Sequence, residues 1–166
     1  YIIIDGDSTD GSKKILAKYR KLVSRIIIEK DNGIYDAMNK GISMSSGEII
    51  GFLNSDDFFS SNNVISSIVD YICDNNLDGC YGDVCYVDRI KPDLIRRRWK
   101  SSNYVEGSFS VGWAPPHPTF YVKKYFYDKY GAFNLSYSIA ADFELMLRFI
   151  EINKINVKHL SKNLVN

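Results

Sequence analysis

Two short apolar runs in this sequence are each followed at once by an acidic turn. Residues 1–4 lead into residues 5–12, and residues 49–53 lead into residues 54–57. Short apolar runs bounded by turn residues are typical of buried strands in a parallel sheet. Because ligands bind at the carboxyl ends of such strands, the two acidic turns are expected to meet in one cleft. That arrangement suits a divalent cation and a phosphorylated ligand.

Helical patterns alternate with the apolar runs in the first half of the chain. Apolar side chains recur at the spacing of one helical face in residues 12–23, 34–42 and 64–72. Further strands are expected at residues 26–28 and 78–88. This alternation predicts an α/β fold with a mostly parallel sheet and right-handed crossovers.

The second half of the chain is less regular. Residues 89–118 are predicted as loops around short strands. A strand at residues 119–122, helices at residues 123–130 and 140–152, and a last strand at residues 156–160 follow. Nothing in the composition marks a second domain, so we predict a single one.

Composition excludes several classes of protein. The chain has 21 basic and 20 acidic residues and a net charge of +1, so it lacks the broad basic surface of a nucleic-acid binder. No stretch approaches the ~18 apolar residues of a membrane span. Cys73, Cys80 and Cys85 lack metal-ligand spacing and are predicted to be reduced thiols of a cytoplasmic protein.

The first acidic turn has more than one interpretation. Its Asp, Ser and Thr side chains can cap the following helix without any ligand. Asp5, Asp7 and Thr9 also fit the DxDxT pattern of haloacid-dehalogenase-like phosphatases, in which the first Asp attacks a phosphoryl group and the second serves as acid. A ligand site at the strand end is the third interpretation.

The second acidic turn favours a cation more strongly. Asp56 and Asp57 are adjacent carboxylates that repel each other unless a positive group lies beside them. Mg²⁺ and Mn²⁺ prefer carboxylate oxygens and leave coordination positions for substrate phosphates. The alternative is an acidic loop that is merely solvated.

Four sequence blocks together resemble glycosyltransferase family 2, of the GT-A fold, and particularly its branch that makes bacterial surface polysaccharides. The blocks are residues 2–12 (IIIDGDSTDGS), 31–41 (DNGIYDAMNKG), 47–57 (GEIIGFLNSDD) and 140–148 (AADFELMLR). The resemblance implies a Rossmann-like mixed, mostly parallel sheet flanked by helices. It also implies a nucleotide-binding half at residues 1–88 and an acceptor-side half at residues 89–166.

The family's opening strand and helix have no counterpart ahead of Tyr1. The resemblance therefore implies a GT-A domain that is incomplete at its N-terminus. We expect residues 1–166 alone to be inactive.

The resemblance assigns nucleotide contacts to three residues of the first half. Asp5 matches the acidic residue that reads the nucleobase, which is usually uracil. Asp31 is expected near the base or the ribose, and Lys40 near the phosphates. Both lie in the block that packs beneath the nucleotide in the family.

The resemblance also locates the metal site and the general base. Asn54 and Asp56 stand at the family's DxD motif, with Asn in place of the first Asp. Asp56 is therefore expected to hold Mn²⁺ or Mg²⁺ with partial compensation from Asp57, while Asn54 contacts the ribose. Asp142 matches the base that deprotonates the acceptor hydroxyl. A carboxylate that only favours the helix dipole is the alternative for Asp142.

Other residues are weaker candidates. His117 resembles a family segment near the acceptor site, and His159 a later histidine that completes metal coordination in some members; both can equally be structural. Trp99 and Trp113 are either sugar-stacking or core residues. Residues 96–98, an Arg triplet, are either a solvated loop or a contact with a lipid diphosphate or an anionic membrane.

The expected activity is inverting, metal-dependent sugar transfer from a nucleoside diphosphate sugar, usually a UDP-sugar, to a saccharide or lipid-linked saccharide. We expect it in the cytoplasm, with a peripheral contact at the inner membrane face, and without a nucleic-acid partner. The phosphatase and a non-catalytic glycosyltransferase-like remnant are the alternatives.

Overall fold

A computed structural model describes all 166 residues and contains two β-sheets. The strands are β1 (Ile2–Asp5), β2 (Arg25–Ile28), β3 (Ile49–Ile50), β4 (Gly79–Val87), β5 (Ile95–Trp99), β6 (Tyr121–Lys123) and β7 (Val157–Val165). β1 and β2 form a parallel pair. The other five strands form the second sheet in the order β3, β6, β4 and β5, with β7 also paired to β4.

Five α-helices connect and cover the strands. They are α1 (Ser12–Tyr19), α2 (Ile34–Met44), α3 (Val64–Asp74), α4 (Lys124–Tyr130) and α5 (Ala141–Met146). α5 continues as a π-helical segment at Leu147–Ile152, so the helix predicted over residues 140–152 changes its winding midway. None of the helices has both the length and the apolar character needed to cross a bilayer.

The predicted α/β class, with a mixed sheet flanked by helices, is confirmed. The predicted predominance of parallel pairing is a point of difference. β1–β2 and β4–β7 are parallel, whereas β3–β6, β4–β6 and β4–β5 are antiparallel. For the β4–β5 pair the reason lies in residues 88–94, which return the chain without a helix, and a short connection of this kind permits only antiparallel pairing.

The apolar core lies on both faces of the second sheet. Tyr81 and Cys80 are neighbours on β4 and are both fully buried, but they belong to different clusters because successive strand residues point to opposite faces. Tyr81 packs with the side that holds Phe149, and Cys80 with the side that holds Ile68. The second sheet is therefore the structural centre of the domain.

The segment that carries β1, α1 and β2 contributes little to this core. α1 has no buried residue, and Ile15, Tyr19 and Leu22 are all more than half exposed. The apolar spacing predicted the helix correctly but not its environment. A two-stranded sheet offers too little surface to bury a helix face.

Gly51 allows a close approach between the end of β3 and β6. Ile50 pairs with Val122, and the ring of Tyr121 covers the position next to Gly51. A Cβ atom at Gly51 would lie 1.9 Å from the Tyr121 ring. The second acidic turn therefore starts from a backbone that is packed against an aromatic ring.

Replacing Gly51 by Ala should destabilise the fold, because the added methyl group displaces the Tyr121 ring. We expect Gly51→Ala to lower the free energy of unfolding by about 1–3 kcal/mol in urea denaturation. Gly47→Ala is the matched control, since its Cβ would meet no atom closer than 3.8 Å. Equal stability of the two variants would contradict this packing.

Candidate active site

A cavity of about 660 Å³ brings together side chains that are distant in sequence. Its wall includes Asn54 after β3, Trp99 at the end of β5, Trp113 and His117 before β6, and Asp142 on α5. All five residues were singled out from the sequence, and the cavity joins the second acidic turn to the predicted general base. The other predicted site residues, Asp5, Asp31, Lys40, Asp56 and Asp57, do not line it.

The second acidic turn is closed by its own polar groups. The backbone N–H of Asp57 donates to the Asn54 carbonyl (3.2 Å), and the Asn54 side-chain amide donates to Asp57 Oδ2 (2.8 Å). Asp56 is exposed and forms no hydrogen bond within the chain. An amide at position 54 thus stabilises a neighbouring carboxylate, where an aspartate would repel it.

The carboxylates of this turn fit a cation that is shared with a substrate. Nowhere in the chain do three or more His, Cys, Asp or Glu side chains cluster closely enough to hold a metal ion. Asp56 and Asp57 supply at most two protein ligands. Mg²⁺ sites that include substrate phosphates commonly use one or two carboxylates and complete the octahedron with phosphate oxygens and water.

Asp31 lies against the first acidic turn at Gly6. Asp5 is buried, and its Oδ1 accepts a hydrogen bond from the Ser8 backbone N–H (2.8 Å). A Cβ atom at Gly6 would lie 2.5 Å from Asp31 Oδ2, so only glycine leaves room for that carboxylate. The predicted nucleotide contacts of Asp5 and Asp31 stay predictions, and Asp31 lies beside the residue that follows Asp5.

Asp7 and Lys40 are engaged in ion pairs. Asp7 has a left-handed backbone (φ 69°) and pairs with Lys13. Lys40 pairs with Glu29 (2.9 Å) and Asp36 (3.5 Å). The hydrogen bond to Glu29 raises the pKa of Lys40 most, against a smaller opposing effect of burial. Lys40 is thus tied to the end of β2, and its predicted phosphate contact stays a prediction.

Asp142 is held by a tyrosine that the sequence did not single out. The Tyr35 hydroxyl donates to Asp142 Oδ1 (2.9 Å), and the Tyr35 ring stacks on Phe133 with a centroid distance of 5.5 Å. Burial, followed by this hydrogen bond, raises the pKa of Tyr35, so the phenol remains a donor. The sequence signal that could have identified Tyr35 is its position on the same helical face as Met38 and Ile42, because a packed tyrosine needs a hydrogen-bond partner for its hydroxyl.

The other acidic residue of α5 is fully occupied. Glu144 receives two hydrogen bonds from Arg148, at 2.8 and 2.9 Å. The same guanidinium donates to the carbonyls of Tyr130, Gly131 and Ala132. Arg148 therefore binds the loop before α5 to the helix. Of the two α5 carboxylates, Asp142 is the one that keeps an oxygen without a hydrogen-bond partner.

Asn39 fixes the same loop from the side of α2. Its amide donates to the Phe133 carbonyl (2.9 Å) and its oxygen accepts from the Phe133 N–H (2.9 Å). Two bonds of opposite direction to one residue reproduce the pairing of a β-bridge. The block at residues 31–41 thus supports the candidate base through both Asn39 and Tyr35.

The two histidines differ in their surroundings. His117 stacks on Phe52 (5.9 Å) and meets Phe133 edge-on (5.8 Å), and its buried Nε2 has no hydrogen-bond partner. His159 Nε2 lies 2.8 Å from Asp83 Oδ1 on the neighbouring strand. This contact joins β7 to β4, and His159 does not line the cavity.

The environment of His117 predicts a pH dependence of stability. Burial lowers the pKa of His117 from its usual 6.5, against the opposing charges of Asp142 and Asp57. Below pH 6.5 the unfolded chain therefore binds a proton that the folded chain resists, and stability falls as the pH falls.

We expect His117→Gln to flatten the loss of unfolding free energy below pH 6.5, a loss of at most about 1.4 kcal/mol per pH unit from this group. Urea denaturation at a series of pH values measures it. Identical slopes for the variant and the unaltered protein would contradict the assignment.

Comparison with known proteins identifies the family. Residues 1–146 match the family described as glycosyl transferase family 2. An uncharacterized glycosyltransferase of Mycobacterium tuberculosis is 29% identical over 160 residues, which cover 89% of this chain and 56% of the relative. A PGL/p-HBAD biosynthesis glycosyltransferase of Mycobacterium bovis is 26% identical over 157 residues, with the same coverage. The chain thus spans just over half the length of these curated relatives.

Solved structures share the fold. Staphylococcus aureus TarS, crystallised as residues 1–349 in complex with UDP, gives a TM-score of 0.75 at 17% identity over 99% of this chain and 49% of that chain. The mannosyltransferase PcManGT of Pyrobaculum calidifontis, in complex with GDP-Man and Mn²⁺, gives 0.67 at 14% identity over 97% of this chain and 45% of that chain. At these identities the likeness is evidence of fold alone. Because the family match covers most of the sequence, the chain belongs to glycosyl transferase family 2.

Proposed function

We propose that the protein containing this chain transfers a sugar from a nucleoside diphosphate donor to an acceptor hydroxyl, with inversion at the anomeric carbon. The observation that carries this proposal is the cavity that Asn54 and Asp142 share. It combines a polar turn suited to a diphosphate with a carboxylate suited to proton abstraction. Residues 1–88 provide the nucleotide side, and residues 89–166 provide most of the acceptor wall.

Asp142 acts as the general base. The hydrogen bond from Tyr35 to Oδ1 fixes the orientation of the carboxylate. The other oxygen, Oδ2, accepts the proton of the acceptor hydroxyl. The acceptor oxygen bonds to the anomeric carbon as the bond to the diphosphate oxygen breaks on the opposite face, and the diphosphate leaves with the electron pair. A bound Mn²⁺ or Mg²⁺ supplies positive charge against the leaving diphosphate.

The donor is held by both acidic turns. We assign the nucleobase, uracil in a UDP-sugar, to Asp5, and the base or ribose edge to Asp31, because the Asp31 carboxylate lies against Gly6, the residue that follows Asp5. Lys40 approaches the phosphates by leaving Glu29. The UDP complex of TarS and the Mn²⁺ complex of PcManGT support a nucleotide-sugar donor and a divalent cation.

Asn54 contacts the ribose, and the cation is held by Asp56 with help from Asp57. The hydrogen bond from Asn54 to Asp57 suits this division, because it keeps Asp57 beside the amide while Asp56 stays free. The site thus uses fewer carboxylates than a full DxD motif. Phosphate oxygens of the donor occupy the coordination positions that the missing carboxylate would fill.

The acceptor is a saccharide or lipid-linked saccharide of a cell-surface glycan. The Mycobacterium bovis relative is named for PGL/p-HBAD biosynthesis, which supports a biosynthetic role for the transfer. We place the reaction in the cytoplasm, at or near the inner face of the membrane, because Cys73, Cys80 and Cys85 are all free thiols.

Family membership argues against the phosphatase alternative. Asp5, the nucleophile in that alternative, is buried and closes its own turn onto Ser8. A non-catalytic remnant remains the second candidate, favoured by Asn54 in place of a first carboxylate. Tight binding of UDP separates the two, since a remnant has no need of a donor.

Loss of the general base should abolish transfer without weakening donor binding. In the protein as it is encoded, Asp142→Asn should lower sugar transfer from UDP-sugars by about 100-fold or more. Calorimetry should give the unaltered affinity for UDP. Asp93→Asn, a matched change at an exposed turn, should leave both quantities unchanged. Full turnover by Asp142→Asn would refute the role of Asp142.

Loss of the metal carboxylate should remove the effect of the cation on donor binding. We expect Mn²⁺ to strengthen UDP binding in calorimetry, and Asp56→Asn to weaken the Mn²⁺-dependent binding by at least about tenfold. Asp93→Asn again serves as control. If the unaltered protein binds no UDP with or without Mn²⁺, the remnant is the better description.

A further inference from the structure

The β4–β5 hairpin carries three consecutive arginines, residues 96–98, and each has different contacts. β5 pairs with β4 so that Cys85 lies opposite Arg98 and Tyr86 opposite Arg97. The register then shifts by one residue, and Arg96 is the extra residue of this bulge. Because neighbours on a strand point to opposite faces, each arginine meets a different environment.

Two of the arginines have partners that account for them. Arg96 donates twice to Asp88 Oδ2, at 3.1 and 2.6 Å, and so closes the hairpin turn. Arg98 donates to Cys85 Sγ at 3.5 Å on its own face of the sheet. These two contacts stabilise the hairpin, Arg96 through an ion pair and Arg98 through a hydrogen bond to a thiol.

Arg97 is held by aromatic rings alone. Its guanidinium lies 5.4 Å from the centroid of Tyr86 and 6.0 Å from the centroid of Trp99. It is exposed and has no hydrogen bond or ion pair within the chain. A guanidinium that uses its flat face on aromatic rings keeps its N–H edge free for a planar fork of two hydrogen bonds.

Trp99 connects this arginine to the candidate active site. The same ring that lies beneath Arg97 forms part of the cavity wall, on which Asn54 and Asp142 also lie. The hairpin also carries Arg89 and Lys91, whereas the turn beyond Asn54 carries carboxylates. The charge thus changes from negative on the donor side to positive on the hairpin side.

We propose that Arg97 binds a phosphate group of the acceptor, while the acceptor's hydroxyl reaches Asp142 in the cavity. The inference rests on the proposed function and adds the chemical class of the acceptor to it. Phosphate oxygens accept the two parallel N–H groups of a guanidinium, and Tyr86 and Trp99 hold that guanidinium before the ligand arrives. The phosphate belongs either to a water-soluble saccharide phosphate or to a lipid headgroup at the membrane.

The two tryptophans of the chain report on this site directly, because Trp99 and Trp113 both line the cavity. Glycerol phosphate is the soluble probe, and neutral glycerol is its control. Titration in EDTA keeps cations from drawing phosphate to the acidic turns. Vesicles of phosphatidylglycerol, compared with phosphatidylcholine, test the membrane source.

We expect glycerol phosphate, but not glycerol, to change the tryptophan fluorescence to saturation. Arg97→Gln should weaken this binding by about tenfold, and Arg97→Lys by less, since a lysine keeps the charge but not the fork. Arg89→Gln makes the same charge change on the same hairpin, but away from the aromatic pair, and should weaken binding far less than Arg97→Gln. An Arg97-dependent response to phosphatidylglycerol vesicles alone supports the same site and assigns the phosphate to a lipid.

Two results overturn the inference. One is an equal weakening of phosphate binding by Arg97→Gln and Arg89→Gln, which would indicate a nonspecific effect of charge. The other is the absence of any response to either phosphate source. Binding of UDP with Mn²⁺, measured by calorimetry for the unaltered protein and for Arg97→Gln, is a separate readout. Its absence in the unaltered protein counts against the proposed function, whereas its presence in both proteins confines the failure to the acceptor site.

Discussion

Strand β4 determines where every other part of the second sheet can lie. It pairs with β6 and β7 at Gly79 and Cys80, and with β5 from Val84 onward. This triple pairing depends on glycine, because a Cβ at Gly79 would lie 2.4 Å from a β6 carbonyl and one at Gly82 would lie 2.6 Å from Leu164. The positions of Trp99 and of the loop before β6 follow from this strand, so the acceptor wall is a consequence of tight backbone packing.

The candidate base is positioned by three side chains that come from two parts of the chain, α2 and the helical segment around α5. Arg148 fastens residues 130–132 to α5, Asn39 binds Phe133 from α2, and Tyr35 binds Asp142 itself. Charged and bidentate hydrogen bonds fix geometry more strongly than apolar contacts, which tolerate sliding. The carboxylate is therefore oriented before any substrate binds, as an efficient general base requires.

The sequence revealed local patterns well and distant contacts poorly. The helices at α2, α3 and α4 and the general position of Asp142 follow from apolar spacing and from the four motif blocks. The bond between Tyr35 and Asp142 spans 107 residues and leaves no periodic signal. The exposure of the apolar face of α1 was not predicted, because periodicity indicates an amphipathic helix but not which surface, if any, the helix packs against. The aromatic surroundings of Arg97 became apparent only from the register of β5.

Among residues 1–37, only Asp5 is buried, and both apolar clusters are built from later parts of the chain. Segments with so few buried contacts open locally at a small free-energy cost, and their amides exchange with solvent faster than those of the core. Under the proposed function, a nucleotide that contacts both Asp5 and the turn at Asn54 would join this segment to the second sheet. Part of its binding free energy would then go into ordering the segment, so that donor binding and local folding would be coupled.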